Sequence, residues 1–125
     1  MSLLDDNVRE FCAAANVAMP GKPMVPDVKA LRLRLRMAGE EFLELLTACG
    51  AHSREVDDVD AAICDAVNHL DISRFDMVEV VDALGDGDYL NAGMRHVIGV
   101  NGDPIAAEVH RTNMEKFGPG SWVAK

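Results

Sequence analysis

Apolar residues recur at helical spacing along nearly the whole chain, and the breaks between the runs are marked by proline, glycine and small polar residues. Val8, Phe11, Cys12 and Ala15 predict a first amphipathic helix over about residues 4–18. The run from Pro20 to Pro26 holds three prolines and ends it, because proline removes a backbone donor and clashes with the preceding turn. Asp27 is a plausible N-cap for a second helix over about 28–49. Gly50-Ala51-His52-Ser53 interrupts the pattern, and Val56, Val59, Ile63, Ala66 and Val67 predict a shorter helix over about 55–69. With Ser73 or Asp71 as cap, a long helix follows over about 74–98. Gly99 to Gly102 closes it, and Asp103 as cap with Pro104 at the first helical position opens a last helix to about Phe117, stopped by Gly118-Pro119-Gly120. No internal repeat or strand pattern is present, so the fold class is all-α, a bundle of four to five helices in a single domain over residues 1–125.

Two of these helices carry an unusual arrangement of acids. In the second, Leu31, Leu35, Phe42 and Leu46 trace one apolar stripe, while Leu33, Met37, Glu40, Glu44 and Thr47 trace another, so the acids prolong an apolar stripe. In the fourth, Glu79, Asp82, Asp86, Tyr89 and Gly93 fall within an arc of about 80°, and the rest of the cylinder is largely apolar. That composition predicts a central helix with one acid face. Gly85, Gly87 and Gly93 each cost up to about 1 kcal/mol against alanine inside a helix, a cost that makes sense where another backbone or a ligand comes close.

Composition narrows the possible partners. A net charge of −9, from 21 acidic against 12 basic residues, disfavours bare nucleic acid and anionic membrane. No apolar run approaches the ~20 residues of a bilayer span, and the first residues lack the basic-then-apolar order of an export signal, so a soluble cytoplasmic protein is expected. Cys12, Cys49 and Cys64 are odd in number and match no zinc spacing, which points to reduced thiols acting as small buried apolar residues.

The chemistry rests on Glu40, Glu41 and Glu44 together with Glu79, Asp82 and Asp86. Neighbours at i+3 and i+4 stack on one helix face, so like charges so placed repel by roughly 0.2–0.5 kcal/mol per pair unless a cation sits among them. Oxygen donors with no neighbouring histidine favour a hard ion, Mg²⁺ or Mn²⁺, over zinc or copper. The lack of a Glu-x-x-His pair separates the pattern from the di-iron carboxylate bundles.

The arrangement Glu40-Glu41-x-x-Glu44 followed by Glu79-x-x-Asp82 resembles the EExxE…ExxD signature of the all-α nucleoside triphosphate pyrophosphohydrolases, the MazG-like group that includes phosphoribosyl-ATP pyrophosphohydrolase. The likeness extends from the Phe11 region through RLRLRMAGEEFLEL and EVVDALGDGDY to EVHRTNMEKFGPG. It implies Mg²⁺-assisted hydrolysis between the α- and β-phosphates of a nucleotide, giving a nucleoside monophosphate and pyrophosphate. It also implies that Glu41, Glu44, Glu79 and Asp82 are metal ligands, and that Glu40 completes a second metal site or orients the attacking water; Glu40 and Glu41 are the candidate catalytic bases. Asp86, one turn beyond Asp82, is placed to meet metal-bound water or a sugar or base edge. His110, Asn113 and Lys116 match the family's EVH-x-SNM-x-K stretch and are expected to reach the phosphates, Lys116 as a point charge. Tyr89 and Trp122 are candidate base-stacking residues, with core packing as the alternative. Gly39, and Gly85 with Gly87-Asp88, depart from the family's bulkier pattern. A homodimer or homotetramer is expected, since so many apolar helix faces need cover. The alternatives are hydrolysis of phosphoribosyl-ATP in histidine biosynthesis, and a non-catalytic helical dimer that binds a nucleotide or protein partner.

Overall fold

The computed structural model describes residues 2–118, and the candidate stacking residue Trp122 lies outside them. Among these residues the chain forms five α-helices and no strand: α1 (Leu3–Ala14), α2 (Val28–Ala48), α3 (Ser53–Asn68), α4 (Met77–Val97) and α5 (Gly102–Met114). Short 3₁₀ turns span Ile72–Arg74 and Glu115–Phe117. The helices group into two compact units, one of residues 24–78 and one that joins the described residues before 24 to those after 78.

Helix ends follow local chemistry. Asp27 caps α2 as expected, its carboxylate accepting from the backbone N–H of Lys29 and Ala30 at 3.3 and 3.4 Å. Three helices end in the same way, with a residue of positive φ just past the last turn: Asn16 (58°), Gly50 (106°) and Gly99 (77°). Each lets the following N–H reach back to the carbonyl five residues earlier, Val17 to Cys12, Ala51 to Leu46 and Val100 to Arg95, at 2.9–3.0 Å. This places the end of α1 at Ala14, before the predicted residue 18, because Asn16 takes the left-handed conformation that glycine fills in the other two. Two predicted caps also shift. Asp71 caps the 3₁₀ turn, accepting from Ser73 N–H at 3.1 Å, and does not start α4. Asn101, not Asp103, caps α5 by accepting from Asp103 N–H at 3.1 Å, and Pro104 then sits inside the first turn, where its missing N–H has no intrahelical partner to lose.

In the unit of residues 24–78, α2 packs on α3. The two approach closely at Gly39: a Cβ there would lie 3.0 Å from Ile63 Cγ2 and 3.5 Å from its Cδ1. The glycine that departs from the family pattern therefore makes room for α3. Val67 is buried, Leu31 and Leu46 are half-buried, and the Arg36 guanidinium donates to Asn68 Oδ1 at 3.1 Å across the pair.

In the other unit α1 packs on α5. Phe11 meets Phe117 edge-on with ring centroids 5.1 Å apart, Cys12 is buried, and His110 Nε2 pairs with Glu10 Oε2 at 3.2 Å. The cysteines do not behave alike: Cys12 is buried, Cys64 half-buried and Cys49 exposed, because Cys49 falls at the C-cap of α2. The expectation that α4 is central is not met within one chain, where every residue from 81 to 91 is exposed.

Candidate active site

The acids of α2 and those of α4 each lie along one stretch of their own helix. Glu44 follows Glu40 and Glu41 by four and three residues, so it shares a face with both, and all three side chains are exposed. Glu40 lies toward α3, where its charge is felt at the Cys64 thiol. That thiol is held above its ordinary range, first by burial and then by Asp60, whose carboxylate accepts from Cys64 Sγ at 3.6 Å; Arg36 opposes the shift and Glu40 adds to it. Asp60 is thus a further acid on the Glu40 side of the helix pair. Helical periodicity hides it, because it comes from another element and belongs to no acid run.

On α4, Glu79, Asp82 and Asp86 recur at i+3 and i+4 and are exposed, and Tyr89 on the same arc is 82% exposed. The core-packing alternative for Tyr89 is therefore excluded within one chain. Among the described residues no group of three or more His, Cys, Asp or Glu side chains is gathered closely enough to hold a metal ion.

The third predicted set lies on and just after α5. His110 and Asn113 line a cavity of about 440 Å³ against α1, within the usual size range of small-molecule pockets. Its walls are mainly apolar, with Leu4, Phe11 and Val109 among them, and Asn7, Arg95, His110 and Asn113 supply polar edges. Lys116 does not line it; its ammonium stands 5.9 Å from the centroid of the Phe11 ring, a cation–π distance. Asn7 and Arg95 were not anticipated. Gly102 leaves space to the Arg95 guanidinium, since a Cβ there would lie 2.6 Å from Arg95 Nε, a contact that only the folded chain reveals.

The five helices, without a strand among the described residues, match the MazG-like helical fold. Residues 8–113 match the family model of phosphoribosyl-ATP pyrophosphohydrolase. The chain belongs to that family, within the all-α NTP pyrophosphohydrolase superfamily, and is a hydrolase acting on phosphoric anhydrides. The match takes in both acid runs and ends at Asn113, leaving Lys116 beyond it. No curated protein and no solved structure matches the chain.

Proposed function

We propose that the chain hydrolyses the α–β phosphoanhydride of a nucleoside triphosphate or related nucleotide, releasing a nucleoside monophosphate and pyrophosphate, in the service of clearing unwanted nucleotides. The observation that carries this reading is the family match over residues 8–113, which spans every acid of both runs. Phosphoribosyl-ATP is the second substrate reading, favoured by the description of the matching family itself.

Glu41 and Glu44 of α2 and Glu79 and Asp82 of α4 are the proposed ligands of Mg²⁺, with Mn²⁺ as a substitute. Their donor chemistry fits such an ion, since all are carboxylate oxygens and neither run contains a histidine or cysteine. When bound, a divalent ion lowers the pKa of water and neutralises phosphate charge. Glu40 or Glu41 accepts the proton of the attacking water as its oxygen joins the α-phosphorus and the bond to the bridging oxygen breaks. Asp86 and Tyr89 extend the acid face of α4 toward sugar or base. His110 and Asn113 offer donors from the α1–α5 cavity, and Lys116 adds a cation close to Phe11. We further infer a single functional domain that self-associates as a dimer or tetramer, supported by exposed apolar residues such as Leu33, Leu84 and Leu90. A cytoplasmic setting is supported by the three free thiols. No helix among the described residues is long and apolar enough to cross a membrane, and the charge of −9 argues against nucleic acid as partner.

The test is release of pyrophosphate, with and without Mg²⁺, from a panel containing dUTP, dCTP, ATP and phosphoribosyl-ATP. Glu41→Gln and Asp82→Asn should each lower turnover by at least about 100-fold while the helical circular dichroism is kept. If no panel member yields pyrophosphate in a magnesium-dependent way, the non-catalytic dimer becomes the better reading.

A further inference from the structure

His110, read above as a phosphate contact, is tied to a helix other than its own. Its Nε2 pairs with Glu10 Oε2 of α1 at 3.2 Å, and its side chain is only 20% exposed. The acids closer in sequence are not open to it, because Glu108 and Glu115 are both engaged by Arg111. Glu10 in turn has no basic residue three or four positions away on α1, where Asp6, Asn7, Ala13 and Ala14 stand, so no helical neighbour competes for its carboxylate. His110 forms part of the wall of the α1–α5 cavity and Glu10 does not. The bond at Nε2 therefore leads away from the cavity, and no bond to a described residue occupies Nδ1. A histidine held by a carboxylate on one nitrogen has its ring orientation fixed and the role of its other nitrogen assigned.

We propose that Glu10 is a positioning residue: by holding Nε2 it presents Nδ1 of His110 to a phosphate of the nucleotide. The proposal rests on the phosphoanhydride reading and adds to it a residue that belongs to neither acid run. Meeting an anion at Nδ1 requires a proton on each ring nitrogen, one shared with Glu10 and one with a phosphate oxygen, so that two anions flank one cation. Asn113, one turn further along α5, opens on the same cavity and supplies a second donor. The pair adds little to stability, because Glu10 is 61% exposed and an ion pair so wetted is weak. Its worth is orientation. By charge alone a carboxylate near a phosphate site weakens binding, so orientation and charge predict opposite effects of removing it.

Calorimetry of the full chain with inorganic pyrophosphate, the proposed product, in the presence of Mg²⁺ separates the two. Glu10→Leu should raise the Kd about 10-fold, the lower end of what such orienting partners are worth, and Glu10→Gln, whose amide oxygen still accepts from Nε2–H, should recover most of that loss. Glu108→Gln removes the same charge from α5 without touching the pair, and it should tighten binding or leave it unchanged. In a His110→Gln background Glu10→Leu should have no further effect. The ring is read independently by NMR of the ¹⁵N-labelled chain: a proton on His110 Nε2 should be protected from exchange with water in the wild type and in Glu10→Gln, and lose that protection in Glu10→Leu. For any panel nucleotide that is cleaved, kcat/KM should fall in parallel with binding. Unchanged or tighter pyrophosphate binding in Glu10→Leu, an equal loss with and without His110, an Nε2 proton that stays protected in Glu10→Leu, or a wild type that binds no pyrophosphate would each overturn the proposal. Weakened binding that depends on His110, in a protein that hydrolyses no panel nucleotide, would uphold the positioning and count against the enzymatic reading only.

Discussion

Replacing Gly39 by alanine tests a close packing contact in the α2–α3 pair, at the residue immediately before the proposed catalytic acids. Two effects oppose each other. Alanine is favoured over glycine inside a helix by about 0.8–1.0 kcal/mol. Its methyl would sit 3.0 Å from Ile63 Cγ2, and relieving such overpacking costs about 1–3 kcal/mol. The expected balance is a loss of about 0–2 kcal/mol. Removing the obstacle should reverse the sign: in an Ile63→Ala background the same change should stabilise by about 1 kcal/mol, because only the propensity gain is left. Urea denaturation of the four proteins at one fixed concentration gives the coupling directly, and it should be about 1–3 kcal/mol. A Gly39→Ala protein more stable than wild type by the full propensity gain, with no coupling to Ile63, would refute the close approach. The link to activity is also measurable. If α3 is pushed outward beside Glu40, pyrophosphate release should fall further in Gly39→Ala than in the double variant.

Val67 is one of two apolar side chains buried in the described residues, and Val67→Ala should cost about 1.5–3 kcal/mol in the same denaturation assay; a loss under 0.5 kcal/mol would show that the site is not packed. The raised Cys64 thiol should be alkylated by iodoacetamide at pH 8 more slowly than exposed Cys49, and Asp60→Asn should speed it; equal rates in the wild type would contradict the assigned burial and charge. On α5 the Arg111 guanidinium holds the Glu108 carboxyl below its ordinary range, through a 2.6 Å bond and its charge, and also pairs with Glu115. A depressed folded value stabilises above the ordinary carboxylate range, and that contribution is lost as pH falls through the depressed value. Helical circular dichroism should therefore fall more on acidification in wild type than in Glu108→Gln, and parallel curves would sink the assignment.

Helix number and type were legible because each run keeps a 3.6-residue period between strong breakers, and Asp27 worked as a cap because its carboxylate needs only the two amides that follow it. The misplacements have local causes. Asn16 acts as a glycine would, and Asn101 caps the helix by reaching the amide of Asp103, two residues on, so the helix starts before the Asp-Pro pair that looked like its start. The three proposed site runs stand on the helices expected of them, as acids at i+3 and i+4 and as the stretch from His110 to Lys116. What periodicity could not supply was what lies across from each run. Asp60 beside the Glu40 side of α2, and Arg95 and Asn7 beside His110, come from other segments, and only tertiary packing selects them. The burial of α4 was misjudged for a related reason: an apolar helix reads as central whether its cover comes from its own chain or from another copy.

The division into units has a consequence for how the molecule is made. Residues 24–78 are contiguous, so α2 and α3 can close on each other across a short turn, whereas Glu10 and His110 are joined across a sequence separation of 100 residues. Loop-closure entropy penalises the second event, and pairing between distant segments is slow. The hairpin of α2 and α3 should thus form first, leaving α1 to wait on the ribosome until α5 has emerged.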